Sequence, residues 1–185
     1  EYSNSHVYNK GLLLRETLFD ASSGTDKPYI ETVNSYDFWK LRDSPTSSID
    51  PLSLERFTDR ATAVLFPRLL GTSKAYYEGS SEAGQSSYTT HVYDELGNVT
   101  HFTEGGSGIE EVRATIDYEN CADSYIVGKP KVISVKTSAG EVRRREGKFD
   151  CTAGNLEWQR AFIDSTRYAE TKFTWDGYGN LHTIE

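Results

Sequence analysis

Apolar and polar residues along much of this chain alternate, rather than recurring every three or four positions. Ser87–Tyr93 (SYTTHVY) and Ala169–Trp175 (AETKFTW) are rich in Thr and aromatics and largely follow a period of two. That period puts successive side chains on opposite faces of a strand, so both segments predict strands. Lys131–Lys136 (KVISVK) predicts another, followed by a turn at Thr137–Gly140 and a returning partner at Glu141–Phe149. Arg113–Tyr118 reads the same way. Residues 71–185 therefore read as a meander of short antiparallel strands, and residues 1–42 as N-terminal strands of the same kind.

One stretch departs from this pattern. Within residues 43–70, Leu54, Phe57, Ala61 and Val64 fall at helical spacing. Asp50 suits an N-cap, Pro51 a first helical position, and Pro67 a stop. The stretch reads either as a short helix near 51–66 or as an irregular insertion between strands.

Composition narrows the class. The 185 residues carry 20 Lys+Arg against 28 Asp+Glu, a net charge of −8, with no basic stretch. That disfavours nucleic acid and anionic membranes as partners. No apolar run approaches the ~18 residues of a membrane span. The first residues have neither the basic nor the apolar region of a signal peptide. The absence of Met predicts an excerpt of a longer or processed protein. The 12 Tyr, 8 Phe, 3 Trp and 15 Gly suit short strands and tight turns. Apolar residues make up only 36 %, which argues against a thick core.

Cys121 and Cys151 are the two cysteines, and His6, His91, His101 and His182 lie far from both in sequence. Two thiols alone do not complete a four-ligand zinc site. The residues lean towards two partly buried thiols over a disulfide, which would suit an exported protein.

The organising feature is a repeat. An aromatic residue is followed directly by an acidic one at Phe19-Asp20, Tyr36-Asp37, Tyr77-Glu78, Tyr93-Asp94, Tyr118-Glu119, Phe149-Asp150 and Trp175-Asp176. Successive aromatics lie 17, 41, 16, 25, 31 and 26 residues apart, as in a β-repeat array with insertions. The longer form is aromatic-Asp-x-x-Gly-Asn-aliphatic. It occurs at Tyr93, Asp94, Gly97, Asn98 and Val99, and again at Trp175, Asp176, Gly179, Asn180 and Leu181. A copy with one residue inserted runs through Phe149, Asp150, Gly154, Asn155 and Leu156, and Tyr36-Asp37-Phe38-Trp39 is a truncated one.

The motif has a physical reading. An Asp at the start of a turn accepts hydrogen bonds from backbone N–H groups two residues on. The Gly takes the conformation that returns the chain, and Asn tolerates positive φ. The aromatic and the aliphatic then face each other across the hairpin, a pairing worth roughly 0.2–1 kcal/mol.

These residues resemble the YD repeat of Rhs proteins, shared with the B component of insecticidal Tc toxin complexes and with teneurins. The resemblance extends to Phe66-Pro67-Arg68-Leu69, Tyr76–Gly79, Ile116–Asn120 and Tyr125–Pro130, and more loosely to Gly11–Glu16 before Phe19-Asp20. It implies a mainly β fold, an antiparallel meander of YD-repeat hairpins forming a curved sheet. It implies a non-catalytic segment of the shell of a secreted bacterial toxin protein, enclosing a C-terminal toxin domain. The implied partners are neighbouring repeats, the enclosed toxin or other toxin-complex subunits, with no cofactor. The repeats are too few to close a shell, and the motif at which the family cuts its toxin free is not evident.

Other residues read as structural. Asp94, Asp150 and Asp176 are expected to cap turns rather than bind calcium, because no DxDxDG-type loop is present. His91 is expected on a strand surface, since no G-x-S-x-G nucleophile turn accompanies it. Arg143-Arg144-Arg145, flanked by Glu141 and Glu146, is expected on a solvated edge strand with cross-strand ion pairs. Asn98-Val99-Thr100 matches a glycosylation pattern, but Asn98 belongs to the turn, and no glycan is expected. The alternative function is a cell-surface adhesion or carbohydrate-binding module using Trp39, Trp158 or Tyr178. A glycosidase with paired carboxylates is the weakest reading.

Overall fold

The computed structural model describes residues 1–2, 10–20, 27–40, 48–49 and 65–185. The strands are β1 (Arg15–Asp20), β2 (Lys27–Lys40), β3 (Ser48–Ile49), β4 (Leu65–Tyr76), β5 (Gln85–Tyr93) and β6 (Val99–Gly106). They continue with β7 (Ile109–Cys121), β8 (Ile126–Thr137), β9 (Gly140–Phe149), β10 (Leu156–Phe162), β11 (Tyr168–Trp175) and β12 (Leu181–Ile184). Among the described residues the sole helical element is a 3-10 turn at Ala122–Ser124. The expected helix near 51–66 falls on residues 51–64, which lie outside the described residues. Leu65 and Phe66 already belong to β4.

The chain divides into two compact units, residues 1–97 with 103–111, and residues 98–102 with 112–185. In the first, β1, β2, β4 and β5 follow one another as antiparallel neighbours, and β3 pairs with β2. In the second, β7 to β12 run antiparallel in chain order. The protein is thus mainly β, an antiparallel meander, as the period of two implies. Among the described residues, β4 joins β5 through residues 77–84, and β7 to β12 follow one another through turns of two to six residues, so these antiparallel neighbours need no crossover.

Burial follows from this layering. Phe38, 3 % exposed, is the one buried hydrophobic side chain among the described residues. Strand burial alternates between half-buried and exposed, as in β5 and β11. Backbone ladders and cross-strand pairs therefore supply stability that a thick core supplies elsewhere.

The truncated copy at Tyr36-Asp37 lies inside the 14-residue strand β2. It has no Gly to return the chain, and the Asp37 carboxylate is taken by Arg68 on β4. Two expectations are corrected. The arginine triplet sits on β9, which is flanked by β8 and β10 and so is not an edge strand. Its close ion pair runs along the strand, from Arg144 to Glu146, while Glu141 accepts from the Ser134 hydroxyl at 2.5 Å. Cys121 and Cys151 form a disulfide, with Cα atoms 5.5 Å apart. The meander explains it: β7 and β9 run in the same direction, so both end at the same end of their unit.

Candidate functional site: recurring turns and aromatic clasps

Each full motif builds a turn of the expected kind. Asp94 Oδ1 accepts from the Leu96 N–H at 2.9 Å, and the Gly97 N–H returns to the Asp94 carbonyl at 3.2 Å. At the second copy, Asp150 accepts from the N–H groups of Thr152 and Ala153, both at 2.8 Å, and Gly154 returns to its carbonyl. At the third, Asp176 accepts from the N–H groups of Tyr178 and Asn180 and from the Asn180 side chain. The backbone donors of Thr152 and Ala153 hold the Asp150 carboxyl below its ordinary range. The Asn180 side chain, joined by backbone donors, does the same for Asp176.

The glycines adopt left-handed backbone, with φ of 84° at Gly97, 74° at Gly154 and 84° at Gly179. None of the three asparagines does. Asn155 and Asn180 instead close their turns by accepting at the carbonyl from the N–H of Asp150 and Asp176, at 2.9 Å each. Asn98 has another use: its Oδ1 lies 2.7 Å from where a side chain at Gly128 would begin. Gly128, at φ 71°, thus leaves room for it. The cross-strand pairing predicted for the flanks is present as Phe149 opposite Leu156 and Trp175 opposite Leu181.

A second connection was not foreseen. The Trp175 indole N–H donates to the Leu156 carbonyl at 2.8 Å, and the Tyr118 hydroxyl to the Val99 carbonyl at 2.8 Å. Val99 and Leu156 are the aliphatic residues that close the preceding motifs. Each aromatic therefore clasps the hairpin before its own, over 19 residues in both cases. The Tyr93 hydroxyl donates likewise to the Leu69 carbonyl at 2.9 Å. All three aromatics carry a donor, although only the strand pairing shows where it reaches. A plain apolar contact would use Phe as readily.

The first unit adds a charged cluster to its clasp. Arg68, 7 % exposed, donates from Nε to Asp37 Oδ1 at 2.8 Å and from its Nη2 to Oδ2. Its guanidinium lies 3.8 Å from the Trp39 ring centre and 5.8 Å from that of Tyr93. Phe66 meets Tyr93 edge-on at 6.2 Å and covers Gly97. Burial pushes the Tyr93 hydroxyl up in pKa, against the opposing pull of its bond to Leu69 and of Arg68.

The aromatics considered for sugar stacking are mostly covered. Arg68 lies over Trp39, and Arg160 lies 4.3 Å from the Trp158 ring centre while it pairs with Glu170. Tyr178, 94 % exposed, is open. The described residues hold one three-member cluster of metal-ligating side chains, Glu119, Cys121 and Cys151. His91 sits on β5 beside Tyr93, with ring centres 6.3 Å apart. The turn carboxylates belong to separate hairpins, each engaged by its own backbone.

No protein-family profile and no curated protein matches the chain. Among solved structures it is similar to the crystal structure of TcdB2-TccC3, with a TM-score of 0.59 at 12 % identity. The match covers 83 % of this chain and 10 % of that one, so the present chain spans about a tenth of its neighbour's length. At that identity the likeness is one of fold.

Proposed function

We infer that this chain is wall material: a non-catalytic YD-repeat segment of a secreted bacterial Rhs or Tc-like toxin protein, helping to enclose a C-terminal toxin domain. The observation that carries the reading is the repeated Asp-turn with its backward clasp, on a fold that resembles TcdB2-TccC3. Clasps at Tyr93, Tyr118 and Trp175, each reaching back to an earlier strand, let a sheet grow by hairpins without a thick core. Half-exposed faces suit a wall between solvent and a cavity. Turn carboxylates tied to their own backbone are poor candidates for acid–base chemistry, which supports a structural role.

The test uses the complete reading frame that contains this chain. Expressed whole and imaged by electron microscopy, it should form a hollow particle. Its C-terminal domain should resist protease until the particle is opened. A frame without further aromatic-Asp-x-x-Gly-Asn repeats, or a C-terminal domain cleaved as fast as free protein, would sink the reading.

A further inference from the structure

We propose that Cys121, Cys151 and Glu119 form a redox-gated site for a thiophilic divalent cation of the zinc and cadmium class. In the oxidised protein the two sulfurs are bonded to each other. In the reduced protein they become two thiolate ligands, and the carboxylate supplies a third. This inference is independent of the shell reading.

The geometry is that of a built site. One ligand atom from each residue lies within 4.8 Å of the others. Two thiolates on a tetrahedral zinc stand about 3.8 Å apart, from a metal–sulfur distance near 2.3 Å. Cα atoms separated by 5.5 Å allow that spacing with side-chain rotation alone. Three protein ligands leave a fourth position for water, the pattern of an open zinc site.

The scaffold holds the thiols together without the disulfide. Cys121 ends β7, pairs in register with Ile126, and opens the 3-10 turn Ala122–Ser124. Asn120, beside it, accepts from the Gly128 N–H at 2.9 Å and so fixes the hairpin end. Cys151 is the residue after Asp150, inside a turn pinned by two backbone donors to that carboxylate. Ile126 and Lys129 lie against Gly154 of the same turn. Both cysteines therefore stay on packed turns after reduction. Cys151 is exposed, which gives a reductant access. Glu119 Oε2 pairs with the Lys131 ammonium at 3.1 Å, a half-exposed contact that a divalent ion displaces at small cost.

The chemistry balances. A dithiol reductant transfers two electrons and two protons to the disulfide and leaves as its own cyclic disulfide. Binding of M²⁺ then releases the two thiol protons and leaves a neutral dithiolate centre beside one carboxylate.

The experiment reduces the full chain with a phosphine, removes the reductant under argon and titrates with cadmium alone. Thiolate-to-cadmium charge-transfer absorption reports binding, and a thiol reagent counts the free sulfurs. One cadmium per chain is expected, with none in the oxidised protein, none in Cys151→Ser, and about ten-fold or more weaker binding in Glu119→Gln. Glu119→Gln keeps both cysteines, and circular dichroism checks that the reduced sheet persists. Two titratable thiols without a cadmium band would overturn the site. So would a Glu119→Gln protein that binds as tightly as the parent, or a reduced chain that binds cadmium only after losing its strands.

Discussion

Tyr93→Phe isolates one clasp, because it removes a hydroxyl and leaves the ring. The Phe66 edge contact and the Arg68 cation contact both act on the ring and are retained. What disappears is the 2.9 Å bond to the Leu69 carbonyl. A typical intramolecular hydrogen bond contributes about 0.5–1.5 kcal/mol net. Tyr93 is half-buried, and burial dominates the rise of its pKa, so water replaces the lost donor incompletely. The expected loss is therefore about 1 kcal/mol. With a urea slope of about 1–3 kcal/mol per molar, the midpoint should fall by roughly 0.3–1 M at unchanged slope. Trp39 fluorescence is the assay, since Trp39 belongs to the same unit and lies under Arg68. Tyr178→Phe, at a 94 % exposed ring, is the control and should stay within about 0.5 kcal/mol of the parent. If Tyr93→Phe and Tyr178→Phe unfold together with the parent, the clasp contributes nothing and its repetition is incidental.

Four further outcomes follow from the same geometry. Asp37→Ala leaves the Arg68 guanidinium buried without its carboxylate and should cost about 3 kcal/mol, read from the same fluorescence transition. Gly97→Ala and Gly179→Ala both strain a left-handed backbone, by about 1–2 kcal/mol each. Gly97→Ala should cost more in denaturant melts, since its Cβ would meet Phe66 at 3.2 Å while nothing lies within 4 Å of Gly179. Reducing the Cys121–Cys151 bond frees a loop spanning 30 residues, worth about 3.6 kcal/mol by chain entropy, and should lower the calorimetric midpoint of the second unit. Asp164, held at about 2 by the backbone N–H of Thr166 and then by Arg167, should titrate near that value by NMR. Because its folded value lies below the unfolded one, its contribution is present above about pH 4 and is lost as pH falls through about 2.

The strands were legible where one face is wetter than the other. Ala169–Trp175 alternates because its two faces differ, Glu141–Phe149 follows from the turn before it, and the structure extends each by a single residue, to Tyr168 and Gly140. Leu65–Tyr76 was hidden, because Pro67 reads as a helix stop. In the sheet Pro67 lies opposite Phe38 in the β2–β4 ladder. Arg68 was equally opaque, since a buried guanidinium owes its place to Asp37, 31 residues away. The motif Asp and Gly were legible because a turn makes its demands locally. The clasps were not, because they join residues 19 to 24 apart and depend on which strands pair. The cysteines were misjudged for the same reason: only the meander places the ends of β7 and β9 together.

Phe38 is the one buried hydrophobic side chain among the described residues, so the sheet draws its stability from other sources, and its charges alone do not suffice. Exposed ion pairs such as Lys148–Glu157 are worth little individually. What recurs is an arrangement in which the Asp carboxylate meets the turn, the Gly permits the turn, and the next aromatic reaches back to the residue that ends it. Each element satisfies polar groups that a hairpin otherwise leaves to solvent. The stabilisation is therefore local and can be added one hairpin at a time. The same logic accounts for part of the composition: Tyr93, Tyr118 and Trp175 combine an apolar ring with a donor, and the acidic excess is partly spent on turns.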